Sequence, residues 1–418
     1  MRLLFKNIKE LLQVRESAPD WLAGAAMQEL PTIRDAFLLV REGKIADFGA
    51  MKDCPDDYLQ TADEVVDASG KMLLPAWCDS HTHLVFAGNR EGEFIDRIRG
   101  LTYEEIARKG GGILNSARLL QETPEEALYE QSRLRLEEVI RQGTGAVEIK
   151  SGYGLTPEAE LKMLRVIRRL RQSYPLPIKA TYLAAHALPP EYKGNKAEFL
   201  RQMTDEVLPT VAREGLAEYI DAFCEEGYFS VSETEQVMEA GKRYGLRAKI
   251  HVNQFNAIGG VAAGVAHEAL SVDHLEVLPE SDVEALKGSA TMPVALPNCS
   301  FFLSIPYTPA RRLLEAGLPL ALASDYNPGS APSGNMNFVV AAACIKVKLT
   351  PEEAINAATI NGAYAMGLSA EVGSITAGKR ANLILTRPIA SYGVLPYAFG
   401  NDLIDTVYIS GNPSNQTP

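Results

Sequence analysis

His81 and His83 flank Thr82 near the end of MLLPAWCDSHTHLV, a run rich in strand-forming residues. Alternate residues of a strand share a face, so both imidazoles can point at one spot. His251 lies near the end of RAKIHVNQ, His274 near that of LSVDHLEV, and Asp325 near that of LPLALASDYN. Buried, hydrogen-bonded polar residues are the plain alternative. Packing alone, however, gives no reason for two further histidines and an aspartate to sit at the same end of their own strands. Three imidazole nitrogens and one carboxylate suit Zn2+ or Fe2+ and leave room for a water. Such a cation lowers the pKa of its water from ~15.7 towards about 7, supplying hydroxide at neutral pH.

The elements able to gather these residues alternate along the middle of the chain. Strand-like runs (MLLPAWCDSHTHLV, TGAVEIKSG, PIKATYLAAH, YIDAFCEEG, RAKIHVNQ, LSVDHLEV, TMPVALPN and LPLALASDYN) are separated mostly by helical patterns. Thr156-Pro157-Glu158, Thr123-Pro124-Glu125 and Thr350-Pro351-Glu352 each give a hydroxyl cap, a proline at the first helical position and an acid in the first turn. Leu161, Leu164, Ile167 and Leu170 then recur every three residues, one apolar stripe. Strands alternating with helices fit a (β/α)8 barrel, whose sites lie at the C-terminal strand ends. An open doubly wound sheet fits less well, since no glycine-rich phosphate loop follows the first strand.

Residues 33–50 read as two strands joined at Glu42-Gly43, and VVDASGKMLLP, GSITAGKRANLILT and DTVYISG continue the β pattern at both ends. Neither end makes a stable sheet alone, so the two are expected to pair. The expected division is therefore 1–74 and 369–418 for a small β-sandwich domain, with 75–368 for the barrel.

The 418 residues carry a formal charge of −12, with 46% hydrophobic and 22% charged residues. An acidic surface disfavours nucleic acid and anionic membranes. Five scattered cysteines without CxxC spacing argue against a disulfide scaffold or a cysteine-rich zinc site, and several, lying within apolar stretches, read as small buried hydrophobes. The start MRLLFKNIKELLQ lacks the apolar core of a signal peptide, and no apolar run reaches the ~20 residues of a membrane span. The expectation is a soluble, cytoplasmic protein, with a homodimer the usual assembly for its size.

The segment PAWCDSHTHL with the later strand-end histidine and aspartate resembles the amidohydrolase superfamily. HTHLVFAGNRE, LTYEEIARKGGGI, EIKSGYGL, AAHALPPEY, SVDHLE and SDYNPGSAP resemble more finely its imidazolonepropionase family, over most of the chain. The resemblance implies hydrolysis of 4-imidazolone-5-propanoate to N-formimino-L-glutamate in histidine breakdown. It implies metal ligands at His81, His83, His251 and Asp325, and substrate contacts from Arg90, Tyr153, His186, Asn327, Gly329 and Ser330.

The chemistry of each residue supports that role, beside a plainer one. Arg90, seven residues past His83, could grip the substrate carboxylate bidentately, or be a surface arginine. Tyr153, between Gly152 and Gly154, can present its hydroxyl or cap the core. His186 could donate to a ring or carboxylate oxygen, or be structural. Asn327-Pro328-Gly329-Ser330 could offer donors beside Asp325, or form a tight turn. His274 would steady the developing oxyanion; His267 reads as an ordinary helix residue. Glu148 and Lys150 could be a buried pair supporting the site, with no role assigned.

One departure stands out. The family commonly places a glutamate three residues after the fifth-strand histidine, where this chain has Gln254. Glutamine hydrogen-bonds but does not shuttle protons near neutral pH. The proton transfer is therefore expected of Asp325, aided by His274, with Gln254 bonded to the departing ring nitrogen. Rival readings are a superfamily deaminase of a small heterocycle, a two-metal amidase with a carboxylated lysine, and an inactive binding protein.

Overall fold

A computed structural model describes residues 1–101, 105 and 111–414. The motif LTYEEIARKGGGI lies mostly outside them. The chain opens with five strands: β1 (Arg2–Leu12), β2 (Thr32–Arg41), β3 (Lys44–Ala50), β4 (Glu64–Asp67) and β5 (Met72–Pro75). β2 and β3 turn at Glu42 and Gly43, whose φ of 51° and 77° are the left-handed pair a two-residue hairpin needs. β1 pairs antiparallel with β2 and parallel with β4 and β5. The segment read only as lacking a signal peptide is thus an internal strand. Asn7 (φ 54°) interrupts it and shifts its register with β2 between Phe5 and Ile8, which hides the two-residue period.

At Ala76 the chain passes from one sheet to the other. The Ala76 amide donates to Asn382 of the end sheet, and the Trp77 amide to Gly143 of the barrel, both at 2.9 Å. MLLPAWCDSHTHLV, read as one strand, is therefore two: β5 and β6 (Trp77–Thr82). Seven strands follow: β7 (Thr144–Lys150), β8 (Ile178–Ala185), β9 (Tyr219–Cys224), β10 (Arg247–Val252), β11 (Ser271–His274), β12 (Met292–Ala295) and β13 (Ala321–Leu322). They lie in chain order, and each pairs parallel with the next. Last meets first where the Asp325 amide donates to His81 O and the His83 amide to Tyr326 O, each at 2.9 Å. The result is a (β/α)8 barrel.

Helices cover it as the start signals suggest. Thr156 caps Pro157–Ser173, and Leu164, Ile167 and Leu170 of its stripe are fully buried, with Leu161 half-buried at the edge. Thr350 forms a reciprocal capping box with Glu353. Thr123 differs: its hydroxyl donates back to Leu119 O, closing the preceding helix instead of capping Glu125–Arg141.

The C-terminal strands β14 (Leu383–Thr386), β15 (Ile404–Ile409) and β16 (Asn412–Pro413) return to the first sheet, β14 pairing with β5. Both chain ends thus share one eight-stranded sheet. Leu4, Phe37 and Leu39 pack on one side of it and Leu3, Phe5, Leu38 and Val40 on the other. Burying side chains of this size gives roughly 1.5–3 kcal/mol each, which holds the ends together and lets β5 deliver β6 to the barrel. Among the described residues no helix is long and apolar enough to cross a membrane.

Candidate active site

The barrel gathers the strand-end residues as the spacing requires. His81 belongs to β6 and His83 follows it; His251 lies on β10, His274 ends β11, and Asp325 follows β13. All are at most 3% exposed. His81 Nε2 lies 3.5 Å from Asp325 Oδ1, His83 Nε2 3.6 Å from the same oxygen, and His251 Nε2 3.4 Å from His83 Nε2. Asp325 (φ 54°) and His274 (φ 91°) adopt backbone conformations that side chains other than glycine rarely take. Such strain persists where the surrounding structure over-determines it, as at a working site.

The donor set fits a cation. His81 Nε2 is buried with no hydrogen-bond partner among the described residues, which is costly unless something else satisfies its lone pair. The other nitrogen of two imidazoles is already used: His81 Nδ1 lies 2.6 Å from Asp273 Oδ2, and His251 Nδ1 3.0 Å from Asp221 Oδ2. A carboxylate only accepts, so each Nδ1 carries the proton and each Nε2 is left free as a ligand. Burial, with Lys150 and the neighbouring histidines, drives His81 well below the usual imidazole range and so keeps it neutral. Burial raises Asp325 above the usual carboxylate range.

His274 differs from the other histidines. Burial alone would lower it, but Glu276, 3.4 Å from its Nδ1, raises it above its ordinary value. It is thereby suited to donate from Nε2 to a developing negative charge.

A cavity of about 360 Å3 is lined by all seven residues expected to touch substrate: Arg90, Tyr153, His186, Gln254, Asn327, Gly329 and Ser330. Through Tyr153 and His186 it adjoins His83, and through Ser330 it adjoins Asp325. Tyr153 packs edge-on against His83 and His186, with ring centres 5.4 and 5.1 Å apart. His186 Nδ1 lies 2.8 Å from Gly152 O, a group that can only accept. Nδ1 is therefore the protonated nitrogen; burial and His251 push the imidazole down to about 3, which leaves Nε2 as an acceptor.

Two groups of the expected contacts also have partners within the protein. Arg90 is not free: its Nε and Nη2 hold Glu93 Oε2 at 2.8 and 2.6 Å, while Glu93 Oε1 accepts from the Gly112 amide at 2.9 Å. A Cβ on Gly329 would collide with the Arg90 guanidinium, so glycine there makes room for it. Asn327 Oδ1 accepts from the amides of Gly329 and Ser330, both at 2.8 Å, and its Nδ2 donates to Asp325 O at 2.6 Å. These donors organise the turn that carries Asp325. The Ser330 hydroxyl remains close to the aspartate, 3.5 Å from Oδ2.

Several contributors were not singled out in the sequence. Asp221 and Asp273 orient the histidines. Their signal is an acid inside an otherwise apolar strand, but their partners depend on which strands become neighbours. Cys299, read as a buried hydrophobe, accepts from Gln254 Nε2 at 3.3 Å. All five cysteines are free thiols. His267 follows the helix Gly260–Ala266, away from these donors, with Glu235 at 3.9 Å. Among the described residues the two fully buried barrel lysines are both ion-paired, Lys150 with Glu148 and Asp221, Lys249 with Glu148. Neither offers the neutral amine that a bridging carbamate requires.

A strand-end cluster of this kind on a (β/α)8 barrel defines a hydrolase class. Residues 72–413 match the amidohydrolase family, and the chain belongs to it, as an enzyme that hydrolyses carbon–nitrogen bonds. Within it the chain falls among the imidazolonepropionases: it is 65% identical over 411 residues to imidazolonepropionase of Flavobacterium johnsoniae, covering 98% of this chain and 99% of that one. The Christiangramia forsetii imidazolonepropionase matches at the same identity and coverage. The imidazolonepropionase of Alkaliphilus oremlandii is 39% identical, with 97% and 96% covered. Among solved structures, E. coli guanine deaminase superposes with a TM-score of 0.74 at 16% identity over 99% of both chains. An adenosine deaminase from Xanthomonas campestris with bound zinc gives 0.71 at 18%, covering 98% of this chain and 92% of that one. These two share the fold.

Proposed function

We propose that this chain opens 4-imidazolone-5-propanoate to N-formimino-L-glutamate, a cytoplasmic step of histidine breakdown, with one zinc or iron(II) ion held by His81, His83, His251 and Asp325. The observation that carries the reading is a cavity large enough for a small ring and lined by Arg90, adjoining that donor cluster through Tyr153 and His186 against His83 and Ser330 beside Asp325. When bound, the cation supplies Lewis acidity and brings the pKa of water towards about 7.

The residues divide the remaining work. Arg90 and Tyr153 hold the propanoate carboxylate, with Glu93 yielding one face of the guanidinium. His186 Nε2 accepts a ring N–H and orients the ring. Asp325 accepts the proton of the attacking water as its oxygen bonds to C4. Protonated His274 donates to the oxyanion on C4. The C4–N3 bond then breaks, the proton passes from Asp325 to N3, and Gln254 hydrogen-bonds the departing nitrogen. No ammonia leaves, so one proton carrier suffices where Gln254 cannot serve.

The division into residues 1–74 and 369–418 against 75–368 is part of this reading, supported by the change of sheet at Ala76. A homodimer is the proposed assembly. The alternative, deamination of a small heterocycle, draws on the fold shared with guanine deaminase, but Gln254 lacks the acid such chemistry normally uses. The test is product analysis with freshly generated imidazolone propanoate. Enzyme-dependent formiminoglutamate without ammonia supports the reading, whereas an inert ring with metal-loaded protein overturns the substrate.

A further inference from the structure

Beneath the donor cluster the barrel holds charges to which the mechanism gives no part. Lys150 on β7 and Lys249 on β10 are fully buried, as are Glu148, Asp221 and Asp273. Taking an ammonium out of water is expensive and calls for close partners. One carboxylate would serve a simple buried pair, yet Lys150 faces three. Its Nζ lies 2.7 Å from Glu148 Oε1, 2.9 Å from Asp221 Oδ2 and 3.8 Å from Asp273 Oδ2. The same Asp221 oxygen faces His251 Nδ1 at 3.0 Å, and the same Asp273 oxygen faces His81 Nδ1 at 2.6 Å. One ammonium thus touches the two carboxylates that orient two imidazoles on different strands.

Other contacts keep that ammonium in place. Glu148 Oε1 also accepts from the Thr181 hydroxyl at 2.6 Å, and its second oxygen pairs with Lys249. Lys249 in turn donates to Ser80 O at 3.1 Å and Ala365 O at 2.7 Å, the former beside His81. Without Lys150, Asp221 and Asp273 would be like charges in a low-dielectric interior, free to separate and to let their imidazoles turn.

We propose that Lys150 is a positioning residue that couples His81 to His251, holding Asp221 and Asp273 together so that both imidazoles present Nε2 to the cation as one unit. This rests on the reading of His81, His83, His251 and Asp325 as metal donors.

The experiment is a double-variant cycle on zinc affinity, measured on chelator-stripped full-length protein by competition with a chromophoric chelator. Asp221→Asn and Asp273→Asn should each weaken zinc about 10–100-fold, the usual cost of losing a partner that orients a ligand. With Lys150 coupling them, the double variant loses clearly less than the product of the two factors, and Lys150→Met loses about as much as either single change. A product equal to the two factors multiplied, or a Lys150→Met protein that keeps the wild-type zinc constant, overturns the coupling. Should Lys150→Met not fold, the aspartate cycle decides alone. A residue that only fills the barrel would lower the melting temperature of the apoprotein and leave the zinc constant unmoved. Wild-type protein that binds no zinc or iron would overturn the donor assignment itself, and the coupling with it.

Discussion

The strand-end donors and the loop donors of the same pocket are built on opposite plans. Three of the four metal-facing groups are held behind by a buried partner: Asp273 for His81, Asp221 for His251, the Asn327 turn for Asp325, while His83 Nδ1 has none among the described residues. The residues that would grip the substrate carboxylate, Arg90 and Tyr153, sit on connections, and Arg90 is already paired with Glu93, which also accepts from the Gly112 amide. The first set is preorganised and loses little on binding a cation. The second must exchange an internal carboxylate for an external one, so part of its interaction is offset on substrate binding. Chemistry is thus assigned to the rigid end and selection to the exchangeable end.

This contrast can be broken by mutation. Asp325→Ala should show the largest effect, removing detectable turnover and weakening metal by more than roughly 100-fold, the upper range for changes one shell further out. Retention of full metal affinity would take Asp325 out of the donor set. His274→Ala should lower kcat about 100–1000-fold, the cost of losing an oxyanion donor, with metal content unchanged by elemental analysis. Arg90→Ala belongs to the exchangeable end and should raise KM about 10–100-fold, matching the roughly 1.5–3 kcal/mol of a charged hydrogen bond, with kcat little altered. An unchanged KM would remove Arg90 from the carboxylate site. Glu93→Gln should have the smallest effect, a few-fold decrease in KM as Arg90 loses its internal competitor. A rise in KM would instead make Glu93 the residue that aims the guanidinium.

The same contrast explains how far the sequence could be read. In a parallel barrel strand order follows chain order, so a histidine at the end of each predicted strand suffices to place it. His81, His83, His251, His274 and Asp325 were legible for that reason. β1 was not, because the irregularity at Asn7 breaks its alternation. MLLPAWCDSHTHLV looked continuous because both its halves are apolar, and only hydrogen bonding at Ala76 divides it. Asp221 and Asp273 were visible as acids within apolar runs, yet their roles follow from contacts across neighbouring strands that no local pattern carries. The Arg90–Glu93 pair had a local signal, opposite charges three residues apart at a helix start. The tautomer of His186 had none, since it depends on a carbonyl of the second βα loop.

The most direct test of the strand-end reading is to titrate chelator-stripped protein with zinc or iron(II) while following formiminoglutamate production from imidazolone propanoate. Activity should be absent at the start, rise linearly, and stop rising at one metal ion per chain. Turnover by metal-free protein, or a break at two ions per chain, would contradict a single cation held by three histidines and Asp325.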